Sequence, residues 1–181
     1  MPTVEPAVRH WTREEYHRMA ELGLIGPEER LELIEGEIIQ KMTPQKSPHA
    51  TAIRLAEEAL RRDFGVGFDV RVQLPLALSP LSEPEPDVAV VRGGPRDYRD
   101  AHPTIALLVV EVADTSLELD RRTKGSLYAR AQIADYWIIN LSAQEVEVYR
   151  RPAPDPEAHF GFRYVRVMRH IPGDAITPLA S

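Results

Sequence analysis

The sequence predicts an α/β fold in which a central mixed β-sheet is flanked by helices. Residues 68–74 alternate between apolar and polar side chains, which is typical of a strand with one buried face. The run at 105–112 is almost continuously apolar, so we expect a strand that is covered on both faces. A helical pattern separates this run from another apolar segment at 136–140, and strands joined in this way pair in parallel. Together with hairpins elsewhere in the chain, this unit makes the predicted sheet mixed.

The first part of the chain is predicted to hold a helix and a hairpin. Thr12 and Glu15 have the spacing of a capping box, so a helix is expected over 13–22. Two short apolar segments within 31–40 flank Gly36, which suits a tight turn. These segments are predicted to form a short β-hairpin.

A second helix, a loop and a further strand are expected after the hairpin. Ser47 is predicted to cap the helix, with Pro48 in its first turn, and apolar residues recur at helical spacing as far as Phe64. The segment at 75–86 holds four prolines and is predicted to be a loop. It leads into an apolar strand at 87–91.

The rest of the chain is predicted to complete the same sheet. A helix is expected over 115–132, and strands are expected at 145–149 and 162–167. The length of 181 residues indicates that the whole chain forms a single domain with a full core. That core is predicted to occupy about residues 11–150, with a strand extension at 151–181.

Composition and charge narrow the classes of function. No apolar stretch is long enough to cross a bilayer and the amino terminus has no signal-peptide pattern, so a cytoplasmic protein without a membrane partner is expected. The absence of cysteine excludes disulfides, thiolate catalysis and cysteine-based zinc sites. The net charge of −6 argues against tight, nonspecific binding to nucleic acid. It does not exclude a nuclease, because the metal site of a nuclease is itself acidic.

Three residues at predicted strand and helix positions form the strongest candidate site. Asp87 opens one apolar strand, Glu111 closes the next, and Lys124 lies on the helix that follows. Two carboxylates at neighbouring strand ends can share one Mg²⁺ ion, and a nearby ammonium can orient an attacking water or offset charge on a phosphate. These are the parts that hydrolysis of a phosphodiester bond requires.

Each of the three residues also has a structural interpretation. Asp87 would be a turn residue that bonds its own backbone, and Lys124 would be a solvent-facing helix lysine. Glu111 is harder to explain, because it follows six apolar residues and a buried carboxylate without a partner costs roughly several kcal/mol. A salt bridge between Glu111 and an arginine is the structural alternative. The predicted site therefore depends on the three residues coming together.

Further polar residues are candidates for contacts with metal or substrate. Glu32 lies in the predicted hairpin and would add an outer ligand. His49, near the start of the second helix, is a candidate phosphate contact or general acid, and Gln73 ends the alternating strand on its polar face. Arg121 and Arg122 compete with the lysine as the cation of the site, although arginine is a poor proton acceptor because it stays protonated.

Several short motifs resemble those of a known family. They are ELIEGE at 32–37, SEPEPDV at 82–88, VVEVADTS at 109–116, DRRTK at 120–124, LYA at 127–129 and DYWII at 135–139. On these motifs the chain resembles the PD-(D/E)xK nuclease superfamily, the fold of many restriction enzymes. More narrowly, it resembles the Uma-type family of restriction-endonuclease-like proteins. The resemblance covers nearly the whole predicted core.

The resemblance implies a restriction-endonuclease-like core that hydrolyses phosphodiester bonds in DNA with Mg²⁺ or Mn²⁺. Asp87 and Glu111 would then be the metal ligands. Lys124 would be the catalytic lysine, and Glu32 would be the early glutamate that completes the site. The chain departs from the superfamily pattern at Ala113, because that pattern has lysine two residues after the glutamate. In the Uma-type family the lysine is displaced to the following helix, where this chain also has one.

Alternatives remain open on the sequence alone. A non-catalytic module on the same fold, which binds nucleic acid or another protein, is the rival function. The residues do not distinguish DNA from RNA as the substrate, since base recognition depends on side chains placed in grooves. A symmetric homodimer is the simplest way for a short domain to cut both strands, but the sequence does not require one.

Overall fold

The structure, a computed structural model, describes residues 7–41 and 46–180. The prediction that the first six residues lack a signal-peptide pattern concerns a segment outside these ranges. The helices are α1 (Arg13–Glu21), α2 (Ser47–Phe64) and α3 (Gly125–Arg130), with a 3₁₀-helix at Pro95–Tyr98 and a π-helix at Leu119–Lys124. The strands are β1 (Leu31–Ile34), β2 (Glu37–Gln40), β3 (Phe68–Val72), β4 (Val88–Arg92), β5 (Leu108–Ala113), β6 (Asp135–Asn140), β7 (Glu145–Pro154) and β8 (Phe162–His170). Within the described ranges, no helix is long and apolar enough to cross a bilayer.

Six of the strands form the mixed sheet that the sequence predicts. Their order is β3-β4-β5-β6-β7-β8, and only β5 and β6 pair in parallel. β1 and β2 form a separate antiparallel hairpin, which a bridge between Leu33 and Glu83 ties to the loop before β4. The predicted α/β fold class, with a mixed sheet flanked by helices, is confirmed.

Apolar side chains cover both faces of the sheet. Every residue of β5 is buried, as its continuous apolar run predicts. On one face α2 packs against a cluster that includes Val110, and on the other face α3 packs against a cluster that includes Val109. Because side chains alternate along a strand, Glu111 lies on the same face as Val109 and therefore on the side of α3.

Local sequence signals fix the amino-terminal helix and the hairpin. The Thr12 hydroxyl accepts a hydrogen bond from the Glu15 N–H, and the Glu15 carboxylate accepts one from the Thr12 N–H, so the capping box is present. In the hairpin turn, Glu35 and Gly36 both have positive φ, as a two-residue turn requires. A Cβ atom on Gly36 would lie 2.4 Å from the His10 Cβ, so only glycine fits there. This turn fixes the position of β1, which contains Glu32 of the candidate site.

Several predicted boundaries are wrong. Lys46, and not Ser47, is the N-cap residue of α2, and its side chain makes no capping hydrogen bond. The central strand begins at Leu108, three residues after the predicted start, and Ile105 is 72% accessible. The helix expected over 115–132 is not uniform, because a π-helix precedes α3.

Candidate functional site

Strand pairing places Asp87 beside Glu111. Val88 of β4 pairs with Val110 of β5 in an antiparallel register. The residue before Val88, Asp87, therefore lies opposite the residue after Val110, Glu111. The Asp87 N–H donates a long hydrogen bond to Glu111 Oε2 at 3.4 Å. Asp87 is 5% exposed and Glu111 is 2% exposed. The two carboxylates that the sequence assigns to neighbouring strand ends therefore meet in the interior.

Each of these carboxylates has one oxygen that the protein bonds strongly and one that it bonds weakly. The Val112 N–H donates to Asp87 Oδ2 at 2.9 Å, whereas the Gln73 side-chain amide reaches Asp87 Oδ1 at 3.3 Å. Glu111 Oε1 accepts short bonds from a lysine and a tyrosine at 2.9 and 2.7 Å. Among the described residues, Glu111 Oε2 accepts only the long bond from the Asp87 backbone. One oxygen of each side chain is thus able to take a further ligand.

Lys124 lies between two buried carboxylates. Its Nζ atom is 2.9 Å from Glu111 Oε1 and 3.0 Å from Glu32 Oε1, and the residue is 2% exposed. Glu32 Oε2 also accepts a hydrogen bond from the Glu85 N–H at 3.1 Å. The Tyr128 hydroxyl donates to Glu111 Oε1 at 2.7 Å. The structure thereby brings all of the residues predicted as catalytic into one cluster, although their roles stay a prediction.

The π-helix brings the lysine to this cluster. Asp120, Lys124 and Tyr128 follow one another at intervals of four residues, and all three are buried. Neither Asp120 nor Tyr128 is among the site residues predicted from the sequence. Their common spacing with the lysine is the signal that would have indicated a shared helical face. Both are therefore residues of the site that sequence reasoning missed.

Charges within the cluster shift its pKa values in different directions. Burial and the neighbouring Glu111 raise the pKa of Asp87. Burial also acts to raise the pKa of Glu111, but Lys124 and Lys41 outweigh it and the net shift is downward. Burial acts to lower the pKa of Lys124, yet the carboxylates of Glu111 and Glu32 outweigh it and raise that pKa. Lys124 is therefore held as an ammonium ion and is a poor proton acceptor.

The cluster lies in a cleft with a volume of about 630 Å³. The lining includes His49, whose Nε2 atom is 3.6 Å from Asp87 Oδ2. The His49 Nδ1 atom is buried and has no hydrogen-bond partner in the described part of the chain. His49 and Gln73, two of the predicted substrate contacts, thus both lie next to Asp87.

Comparison with known families assigns the chain. Residues 13–171 match the family Uma2, described as "Putative restriction endonuclease". The chain belongs to the Uma2 family. The resemblance to the Uma-type family drawn from the short motifs is confirmed.

A solved structure has a similar fold to this Uma2 family member. It is "a putative nuclease belonging to DUF820 from Anabaena variabilis ATCC 29413", with a TM-score of 0.66. The two chains are 20% identical, and the match covers 93% of this chain and 88% of that chain. At this identity the likeness establishes the fold alone, and it agrees with the predicted restriction-endonuclease-like core. No curated protein matches this Uma2 sequence significantly.

The donor set suits a magnesium ion that is held by few protein ligands. Within residues 7–41 and 46–180, no three His, Cys, Asp or Glu side chains are grouped so as to hold a metal ion. Mg²⁺ is commonly held by one or two carboxylates and keeps several waters. Asp87 and Glu111 offer such a pair, and a cation would relieve the repulsion that helps to raise the pKa of Asp87. The predicted ligands therefore fit Mg²⁺ or Mn²⁺, whose binding stays a prediction.

The two predicted arginine contacts lie away from this cleft. Arg121 donates to Glu147 through two nitrogen atoms, at 3.0 and 2.5 Å, and Glu147 is 1% exposed. Arg122 is exposed and lines a separate, smaller cleft together with Arg121. Arg121 thus neutralises a buried carboxylate of β7. Sequence reasoning missed this pair because its members are 26 residues apart and lie on different elements.

The raised pKa of Asp120 predicts that the stability of this Uma2 family member depends on pH. Burial and the negative charge of Glu111 raise the pKa of Asp120 from 3.8 to about 7. The protonated carboxyl favours folding at low pH, and this contribution is lost as the pH rises through about 7. We expect Asp120→Asn, which is neutral at every pH, to be more stable than wild type above pH 7 by on the order of 2–4 kcal/mol. Below about pH 4 the two proteins should be equally stable.

Urea denaturation in EDTA, repeated across this pH range, measures the difference. Asp100→Asn is the matched control, because Asp100 is 80% exposed beside Arg99 and should show no such trend. A constant difference between Asp120→Asn and wild type at every pH would contradict the titration of Asp120. Ser116, whose hydroxyl donates to Asp120 at 2.5 Å, is present in both wild type and Asp120→Asn, so the two proteins differ only at residue 120.

Proposed function

We propose that the chain is a divalent-metal-dependent endonuclease that hydrolyses phosphodiester bonds in DNA. The observation that carries the proposal is the pair of buried carboxylates, Asp87 and Glu111, side by side in a cleft with the Lys124 ammonium bound to one of them. Membership of the Uma2 family supports the same activity. No other cluster in the described residues combines so many parts of one hydrolytic reaction.

Asp87 and Glu111 would hold Mg²⁺ or Mn²⁺ through the oxygens that the protein bonds weakly. When bound, the ion supplies Lewis-acid stabilisation of a phosphate and lowers the pKa of water. The protein contributes the orientation of the ligands. The Val112 N–H fixes Asp87, and the Tyr128 hydroxyl fixes Glu111, each through the opposite oxygen.

Lys124 contributes a fixed positive charge. Its raised pKa keeps the ammonium protonated, so proton acceptance is not its role in this proposal. Glu32 and Glu111 orient the ammonium at 3.0 and 2.9 Å. A preorganised cation in a water-poor site stabilises charge that develops on a phosphate more strongly than the same cation would in water. Glu32 is in this view a positioning residue.

A cleavage assay tests the proposal. Supercoiled plasmid should be nicked or linearised in Mg²⁺ or Mn²⁺ and left intact in EDTA. Glu111→Gln removes a ligand charge and should lower the rate of cleavage by roughly 10²–10⁴-fold. Gel electrophoresis of plasmid, single-stranded DNA and RNA in parallel reports both the rate and the preferred strand.

Glu145→Gln is the matched control for this assay. Glu145 lies at the start of β7 beside Arg169, outside the lining of the cleft, and its variant should cleave at the rate of wild type. Salt-sensitive binding without cleavage of any substrate would favour the non-catalytic interaction module. If both strands are cut at one position, we expect the protein to act as a symmetric homodimer. Sedimentation measures its oligomeric state.

A further inference from the structure

Positive charge is concentrated on one wall of the cleft. All the lysines of the chain, Lys41, Lys46 and Lys124, line this cleft, although the net charge of the protein is −6. Lys41 and Lys46 follow the β1–β2 hairpin and lead into α2, and Arg30 precedes the same hairpin. The Lys41 N–H donates to the Arg30 carbonyl at 2.8 Å, so these two residues are neighbours across the hairpin. Three of the four lysine and arginine residues that line the cleft therefore come from one structural unit.

Acidic side chains also line this cleft. Asp114 and Asp120 come from the segment that joins β5 to α3. Asp114 meets the hairpin side directly, through its ion pair with Lys46 at 2.9 Å. A polyanion that entered the cleft would be attracted by the basic residues next to the hairpin and repelled by these two carboxylates.

We propose that Arg30, Lys41 and Lys46 form a cationic wall that binds the phosphodiester backbone of a nucleic-acid strand in the cleft. The wall rests on the proposed nuclease function and names the groups that position its substrate. Phosphates next to the scissile bond lie along the wall, while the scissile phosphate would face Lys124 and the ion that Asp87 and Glu111 would hold. Phosphate contacts of this kind set position and register without reading sequence.

The charges of the wall are available for a ligand. In the described part of the chain, the Arg30 guanidinium has no carboxylate within ion-pair distance. The Lys41 ammonium donates to the Glu85 carbonyl and has no carboxylate within ion-pair distance among the described residues, although its charge acts to lower the pKa of Glu111. Lys46 pairs with Asp114 at 2.9 Å, and its side chain is 69% exposed. An ion pair as exposed as this one contributes little to stability, so a phosphate can replace Asp114.

Binding measured without metal tests the wall. The affinity for fluorescein-labelled single-stranded DNA, duplex DNA and RNA is measured by anisotropy in EDTA over a range of salt concentrations. Loss of one phosphate contact reduces the slope of log affinity against log salt by roughly 0.7 for a single strand and 0.9 for a duplex. We expect this reduction, with weaker binding, for each of Arg30→Gln, Lys41→Gln and Lys46→Gln. Asp114→Asn should bind more tightly than wild type because it removes the competing carboxylate.

Arg96→Gln and Arg166→Gln are the matched controls. Both arginines are exposed and lie outside the lining of the cleft, so each control removes one charge elsewhere. Thermal unfolding of every variant separates loss of binding from loss of folding. The proposal would be wrong if the control variants lost as much affinity as the wall variants. It would also be wrong if the wall variants kept the wild-type slope of log affinity against log salt, or if wild type did not bind at low salt.

The outcomes for the wall and for the nuclease are distinguishable. Binding that depends on the wall, in a protein that cleaves nothing in Mg²⁺ or Mn²⁺, supports the wall and rejects the nuclease. Cleavage by wild type, with normal binding by all three wall variants, supports the nuclease and overturns the wall. The three labelled strands identify which nucleic acid the wall prefers.

Discussion

Lys124→Met is expected to lower the free energy of unfolding by about 3–5 kcal/mol, because it leaves two buried carboxylates without their cation. Glu111 and Glu32 are 2% and 1% exposed, and both form an ion pair with the lysine. The same variant should lower the turnover of DNA cleavage by roughly 10²–10⁴-fold. Urea denaturation in EDTA and plasmid cleavage in Mg²⁺ measure the two effects.

Further variants distinguish an electrostatic role of Lys124 from a role in proton transfer. They also distinguish an effect on folding from an effect on turnover. Lys124→Arg keeps the charge and should recover part of the activity if the ammonium acts electrostatically. Adding Glu32→Gln to Lys124→Met should restore part of the stability, because one unpaired carboxylate is removed. Arg121→Met removes the cation that pairs with the buried Glu147, which lies outside the site. This variant should therefore destabilise the protein but leave the turnover of the folded fraction unchanged. Wild-type stability of Lys124→Met would contradict the buried ion-pair account.

The response of stability to Mg²⁺ should disappear in the double variant Asp87→Asn, Glu111→Gln. A ligand that binds only the folded state stabilises it by mass action, by about 2.7 kcal/mol when its concentration is 100 times its Kd. Asp87→Asn alone should stabilise the metal-free protein at neutral pH, because burial and Glu111 raise the pKa of Asp87. Thermal unfolding over a series of Mg²⁺ and Mn²⁺ concentrations, with EDTA as the reference, measures both effects.

Asp69→Asn is the control for the metal response. Asp69 is a buried carboxylate of β3, 3.7 Å from Arg71 and outside the lining of the cleft. Its variant should keep the full Mg²⁺ response whatever it does to stability. An identical Mg²⁺ response in wild type and in the double variant would remove Asp87 and Glu111 as ligands.

The parts of the site that the sequence predicts are those fixed by short-range pattern. Asp87 follows a proline-rich loop and Glu111 ends an apolar run, so their places at strand ends depend only on recognising two strands. Lys124 is close enough along the chain to return to Glu111 once the chain turns into a helix. The hydrogen bond between these two side chains agrees with that expectation.

The parts that the sequence does not predict depend on tertiary contacts. The π-helix has no simple sequence signal, because it is rare and occurs mostly as a single turn within a stretch that otherwise has a helical pattern. Arg121 pairs with an acidic residue of β7, and the sequence alone does not indicate which of its many acidic residues is the partner. Lys41 and Lys46 are distant in sequence from Asp87, so only the packing of the hairpin and α2 shows that they share one cleft.

The helical origin of the lysine makes its distance from the carboxylates an adjustable quantity. In the superfamily pattern, glutamate and lysine are two residues apart on one strand, so backbone geometry fixes their separation. Here the separation depends on how the segment around α3 seats against the sheet. The Ser126 hydroxyl of α3 donates to the Phe162 carbonyl at 2.7 Å and accepts from the Phe160 N–H at 2.8 Å. Substitution of Ser126 would therefore change how Lys124 is placed relative to Glu111 while leaving both of these residues unchanged.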